Sequence, residues 1–289
     1  MKIYRRDTGA YEEEQEFQAG LLRLLYETAP GRVLLKLAIH PAVSRLYGLY
    51  QHSPFSRKNI RSFADTNGID LSGWNADSFG SFNDFFIRRR VNHTYAASDE
   101  LIAIADSRLT AYPVSEDLRL RIKHSDYTLR EIVGEDMPLA PFSGGTCLVF
   151  RLAVQDYHRY VFPDSGRMVK TVSIPGELHT VRSISESYRV YARNHRVCTL
   201  LETEHFGSLL QIEVGAVMVG KIHNHPIRQF SRLQEKGYFE FGGSTILLLV
   251  PQDIAIDSDI LEKTREGVET KVTLGEKIGK RKREESKPC

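Results

Sequence analysis

Cysteine is scarce in this chain of 289 residues: Cys147, Cys198 and Cys289 are the whole set. An odd, widely spaced trio offers neither a disulfide framework nor a pair at metal-ligand spacing. A reducing, cytoplasmic setting is therefore expected, with no bound metal. Long apolar runs are missing as well. None reaches the length that spans a bilayer, and the N-terminus lacks the features of a secretory signal. Neither sign of charge dominates: 39 Lys and Arg stand against 37 Asp and Glu, a formal net charge of +2. Bulk electrostatics do not hold a polyanion, so no nucleic-acid partner is expected. No internal repeat or low-complexity linker occurs. The Gly-x-Ser-x-Gly elbow of an ordinary Ser-His-Asp hydrolase is absent. The glycine-rich stretch from Val214 to Gly220 lacks the Lys-Ser/Thr ending of a P-loop.

What is present runs from helix to strand. Helical spacing governs residues from about 12 to 50, through Leu21, Leu24 and Leu25, then Val33, Leu34 and Leu37, then Leu46 and Leu49. Arg23, Lys36 and Arg45 sit among them. Such helices either cover the protein's own core or lie in a membrane interface. Further short helices are predicted around Asn67-Gly68 and Gly73. From about residue 100, β-branched and apolar residues take over, in 146–154, 168–174, 197–203, 209–222 and 238–250. Pro163-Asp164-Ser165-Gly166 and Pro175-Gly176 punctuate them as turns. The expectation is an α+β protein with N-terminal amphipathic helices packed on a β-rich catalytic core. Residues 1–95 form the helical, membrane-associating region, 96–275 the core, and 276–289 a basic polar tail. The tail run Lys280-Arg281-Lys282-Arg283 is either solvated or in contact with an anionic membrane.

Within Phe239-Glu240-Phe241-Gly242-Gly243-Ser244-Thr245, glycines interrupt what otherwise reads as one apolar strand. Glycine there marks a bulge, a bend or a close backbone approach. It also places the Ser244 hydroxyl beside the unhindered Gly243 carbonyl, which it could attack. A self-attacking serine needs a base and a group that orients the base. His158, in Asp156-Tyr157-His158-Arg159 at a strand end, has a near-neutral ordinary pKa that suits proton transfer. Asp106 ends the apolar run 101–105, where an orienting carboxylate could be half-buried; an Asx-turn is its ordinary role. His223 and His225 alternate on one strand, but no third metal ligand is evident. Arg159 could fork onto an anion or pin the local turn.

Several motifs then align in order. They are Phe82-Asn83-Asp84-Phe85-Phe86-x-Arg88, Asp106, Asp156-Tyr157-His158-Arg159, Pro175-Gly176-x-Leu178, Asn194-x-Arg196, Val214-Gly215-Ala216-x-x-Val219-Gly220, and Lys236-Gly237-x-Phe239-x-Phe241-Gly242-Gly243-Ser244-Thr245. Over residues 34 to 280 the chain resembles the phosphatidylserine decarboxylases, pyruvoyl-dependent enzymes that make phosphatidylethanolamine. The resemblance implies cleavage between Gly243 and Ser244 into a large chain, 1–243, and a small chain, 244–289. His158, held by Asp106, would deprotonate Ser244, and Ser244 would become a covalent pyruvoyl group. That group would bind the substrate amine as a Schiff base and accept the electrons left by carbon dioxide, with His158 returning the proton. The implied partner is phosphatidylserine in an anionic membrane, met peripherally at its cytoplasmic face. The two processed chains would associate, with a homodimer as a further arrangement.

Two departures stand out. Relatives carry His-x-x-His, whereas Val161 follows His158 here. His179 stands where relatives tend to have an aromatic residue; it is either a substitute substrate-binding imidazole or a partly exposed surface histidine. Loss of the second histidine leaves a free amino acid open as substrate, and an unprocessed lipid-binding member without catalysis remains a further alternative.

Overall fold

The computed structural model describes residues 2–14, 19–71, 74–89, 97, 99–181, 183–216, 221–240 and 244–282. Gly73, Val219, Gly220, Phe241, Gly242, Gly243 and Arg283, named above, lie outside them.

The chain begins with a hairpin, β1 (Lys2–Arg5) and β2 (Tyr11–Glu13). Gly9 closes its turn at φ +67°, a conformation that suits a residue without Cβ. Residues 2–13 thus belong to the sheet, in contrast to the helical reading of 1–95. Helices follow: α1 (Ala19–Glu27), α2 (Ala29–Ala38) and α3 (Pro41–His52). The Thr28 hydroxyl caps α2 by accepting from Gly31 N at 3.0 Å. A Cβ on Gly31 would lie 1.8 Å from Leu24 O, so glycine lets α1 and α2 meet closely. Next come α4 (Ile60–Asn67), ended by Gly68 in the left-handed conformation, and α5 (Phe82–Phe86), capped by Ser81. Ile60, Ala64, Phe82, Phe85 and Phe86 make a small core under this layer.

The remainder is mostly strand: β3 (Glu100–Ile102), β4 (Ser107–Pro113), β5 (Arg119–Ile122), β6 (Ser125–Thr128), then α6 (Leu129–Val133), β7 (Thr146–Leu152), β8 (Arg159–Val161) and β9 (Gly166–Ile174). After α7 (Val190–Arg193) come β10 (Arg196–Thr203), β11 (Gly207–Val214), β12 (Ile222–Asn224), β13 (Gln229–Phe230), β14 (Glu235–Phe239) and β15 (Ser244–Val250). The chain closes with β16 (Ile254–Ile256), α8 (Ser258–Arg265), β17 (Glu269–Val272) and β18 (Lys277–Arg281). A ten-stranded sheet runs β13-β9-β10-β11-β15-β7-β4-β17-β1-β2, and a three-stranded sheet runs β12-β14-β8. All seven residues of β15 are buried. Ile246, Leu248 and Val250 enter one core cluster, while Leu247 and Leu249 enter another. A strand buried on both faces reads as a continuous apolar run, as this one does. β18 pairs with β16 and β3 and buries Ile278 completely. The expected polar tail is therefore strand as far as Arg281.

Two stretches that read as single strands, 209–222 and 238–250, are each broken in two. Both breaks fall at one corner between the sheets. β15 lies between β11 and β7 in the large sheet, and β14 lies between β12 and β8 in the small one. Three neighbouring segments therefore leave one sheet for the other side by side. Leu152 faces Ser244 across the first ladder, and Arg159 faces Tyr238 across the second. Between those pairs one segment advances seven residues and the other six. Strands that switch sheets do so through bulges and bends.

Candidate active site

Ser244 opens β15 at this corner. It is fully buried, and its hydroxyl has no hydrogen-bond partner among the described residues. An unsatisfied buried hydroxyl costs free energy, on the order of 1–3 kcal/mol. Such atoms call for an explanation in chemistry or an unseen partner.

His158 stands on the adjoining segment, also fully buried. The His158 carbonyl accepts from Phe239 N at 3.0 Å, which ties the two turning segments together. Its Nδ1 lies 2.9 Å from the Asp156 carbonyl oxygen. A carbonyl only accepts, so Nδ1 carries the proton, and in the neutral form of the ring the lone pair lies on Nε2. That is the tautomer a general base needs. Phe86 of α5 covers the ring, with centroids 4.0 Å apart and planes at 35°. The helical layer thus closes over the base and excludes water.

The turn beneath His158 is pinned by charge. Asp156 accepts from Arg108 at 2.5 Å and from Ala153 N at 2.7 Å. Arg108 also pairs with Glu14, which pairs with Arg151 at 2.8 Å. Arg151 reaches Glu269 at 2.5 Å. Burial works against the Arg108 charge, but Asp156 and Glu14 more than offset it and raise its pKa. Asp106 lies beside this turn, 8% exposed, and its Oδ1 accepts from Leu274 N at 2.8 Å. It stands close enough to Asp156 to act on its charge. The atom bonded to His158 Nδ1 is the Asp156 carbonyl. The sequence reading quoted Asp156 in a motif but gave it no role.

The small sheet carries a second buried network. Lys236 Nζ lies 2.8 Å from Glu213 Oε1 and 3.2 Å from Asn224 Oδ1. Asn224 Nδ2 donates to the other Glu213 oxygen at 2.9 Å. Both charged side chains are at most 1% exposed. Burial lowers the Lys236 pKa, with Glu213 opposing. A Cβ on Gly237 would lie 2.0 Å from His223 O, which explains the glycine after this lysine.

Arg159 donates to Ile87 O and Glu235, both at 2.7 Å, and stacks over Tyr238. Its fork thus joins β8 to the end of α5. His179 is 2% exposed and so is not a surface histidine. Its Nε2 donates to Glu177 at 3.1 Å, while Nδ1 accepts from the Tyr26 hydroxyl at 3.2 Å. Burial lowers its pKa from 6.5, with Glu177 opposing. Asn194 bonds the carbonyls of His179 and Gly215, both at 2.7 Å, and so fixes the third corner segment. His223 and His225 bind different carboxylates, Glu240 and Glu235. No metal-ligating cluster occurs among the described residues. Val161 is buried in the core, so β8 offers no second imidazole.

The chain is similar in sequence to known proteins. The family profile for phosphatidylserine decarboxylase matches residues 82–280, more than half of the chain. A phosphatidylserine decarboxylase proenzyme 2 from Clostridium acetobutylicum is 43% identical over 283 residues, covering 96% of this chain and 97% of the relative. A phosphatidylserine decarboxylase proenzyme from Ruminiclostridium cellulolyticum is 39% identical over 293 residues, covering 96% and 97%. One from Clostridium perfringens is 38% identical over 294 residues, covering 96% and 99%. With its corner serine, its buried histidine and this likeness along nearly its full length, the chain belongs to the phosphatidylserine decarboxylase family.

Proposed function

We propose that the chain is a proenzyme that cuts itself between Gly243 and Ser244 and then decarboxylates phosphatidylserine. His158 takes the Ser244 hydroxyl proton at Nε2, its ring oriented at Nδ1 by the Asp156 carbonyl, with Asp106 acting from the neighbouring turn. Oγ attacks the Gly243 carbonyl carbon, and the amide becomes an ester as the nitrogen leaves as an amine. Loss of the Ser244 α-proton then breaks the Cβ–Oγ bond, which frees the Gly243 carboxylate and leaves dehydroalanine. Water replaces the nitrogen, ammonia departs, and a pyruvoyl ketone remains. The observation that carries this reading is the fully buried Ser244 hydroxyl with no partner among the described residues, at a glycine-marked corner it shares with His158. When formed, the pyruvoyl group supplies the electron sink for decarboxylation. The residues' part is to exclude water with Phe86 and to return a proton through His158. Arg159 and His179 are assigned to substrate binding only indirectly, through the walls they hold in place.

The lipid as substrate, rather than a free amino acid, is supported by the helical layer over the site. Phe55 is 79% exposed, and Leu46 and Leu49 are 68% and 65% exposed. Such a patch suits peripheral contact with an anionic membrane at its cytoplasmic face. No helix among the described residues is long and apolar enough to cross a membrane. Intact mass tests the reading. The wild type should give two chains, the smaller blocked to N-terminal sequencing and reactive toward hydroxylamine. Ser244→Ala should give one. A wild-type chain at full mass, inert to hydroxylamine, ends the proposal. Turnover of dispersed phosphatidylserine against free serine decides the substrate.

A further inference from the structure

Glu240 is the last described residue before Ser244, and two imidazoles flank its carboxylate. His223 Nε2 lies 2.6 Å from Oε1, and His52 Nε2 lies 3.3 Å from Oε2. Carboxylate oxygens accept, so the His223 ring donates through Nε2–H, while His52 stands at ion-pair distance. Glu240 N also donates to Lys221 O at 3.1 Å. The two imidazoles differ in kind. The His223 ring stacks on Tyr238, with centroids 4.7 Å apart and planes at 17°, and belongs to β12. His52 ends α3, and its side chain is 46% exposed. One carboxylate therefore ties the helical layer to the backbone that leads into the cut. Burial pushes Glu240 up, but the bonds from His223 and His52 outweigh it and hold the carboxyl below its ordinary 4.5. At neutral pH the Glu240 carboxyl is ionised.

We propose that Glu240 is a positioning residue for self-cleavage, and that His52 is the point through which the helical layer acts on it. The inference rests on the reading of Ser244 as self-cleaving. Attack by a hydroxyl on its own preceding carbonyl needs the peptide held bent against it, and small losses of alignment are costly. β15 fixes the chain from Ser244 onward, and the clasp fixes it at Glu240. Freeing the His52 anchor loosens one end and lowers the fraction of time spent in attack geometry. The exposed α3 end makes that anchor responsive to whatever the helical layer touches.

The test follows the appearance of the two chains over time after synthesis of the full-length proenzyme. Wild type, His52→Leu, His52→Gln and Glu240→Leu are compared, and melting is measured for each in the uncleavable Ser244→Ala background. His52→Leu, which removes this ion-pair partner, should slow cleavage roughly tenfold, as a small loss of alignment does. His52→Gln, whose amide can donate to the same oxygen, should restore most of the rate. Glu240→Leu, which frees both imidazoles, should be slower than His52→Leu. Melting should move little, because His52 lies at the surface. Wild-type cleavage with an equally fast His52→Leu overturns the inference. So does a His52→Gln as slow as His52→Leu, which would make ring packing the cause. A wild type that never splits is a different result: it removes the self-cleavage reading, and this inference with it.

Discussion

The helical layer and the β15 region dispose of their apolar side chains in opposite ways. Val33, Leu34, Leu37, Leu46 and Leu49 are 55–68% exposed. Every residue of β15 is buried. Both segments read as strongly apolar in the sequence. The difference lies in the partner: β15 has strands on both edges and core clusters on both faces, whereas one face of α1 to α3 has no cover among the described residues. Hydrophobic content alone therefore does not locate a core. Exposed apolar side chains of this kind are what the proposed contact with a lipid surface would cover.

The largest expected effect lies in the core. Lys236→Met leaves Glu213 charged and unpaired in the interior, and should cost about 3–5 kcal/mol. Urea unfolding in the Ser244→Ala background measures it. The double variant Lys236→Met/Glu213→Leu should recover much of that loss, since two apolar side chains leave no stranded charge. A single variant as stable as the parent would show that the two regions differ less than their burial indicates.

Acid should come next. Burial works against the Glu14 charge, but Arg108 and Arg151 outweigh it and hold the carboxyl below its ordinary 4.5. Glu240 is depressed likewise by its imidazoles. A carboxyl depressed in the folded state stabilises fully above its unfolded pKa. That stability is lost as pH falls through the lower folded value. Melting temperature should therefore drop below about pH 4.5, and Glu14→Gln should flatten the decline. A decline of the same steepness in that variant would remove the buried arginine network from the account.

The smallest effect on stability should come from the helical layer. Leu46→Glu with Leu49→Glu should change unfolding free energy by no more than about 0.5 kcal/mol each, as for other surface sites. Co-sedimentation with phosphatidylserine vesicles should nonetheless be lost. Binding that survives these changes would place the lipid contact elsewhere.

Much of this was legible in the sequence because it lies in local pattern. Phe239 to Val250 announced a strand with a glycine break, and Pro163 to Gly166 announced a turn. Ser244 and His158 followed from their neighbours. The corner was not legible. That 209–222 and 238–250 break at the same place depends on register between strands distant in sequence, and no periodicity encodes it. The Arg108, Glu14, Arg151 and Glu269 network joins four separate segments for the same reason. Lys236 was visible beside Gly237, but its partner Glu213 sits on another strand and looked like an ordinary strand residue. The tail misled because Lys280 and Arg281 are exposed, although both pair with β16 in the sheet and Ile278 beside them is buried.

The place of β15 has a consequence for how the protein can be made only once. The proposed break before Ser244 would create a second polypeptide whose first seven residues are already paired with β7, five of them with β11 as well. Native conditions give those fragments no route to drift apart. Denaturant does, and then the chain's history matters. Intact Ser244→Ala should regain its shape at a rate indifferent to dilution. The cut protein must find its other half again, so its recovery should fall as it is diluted.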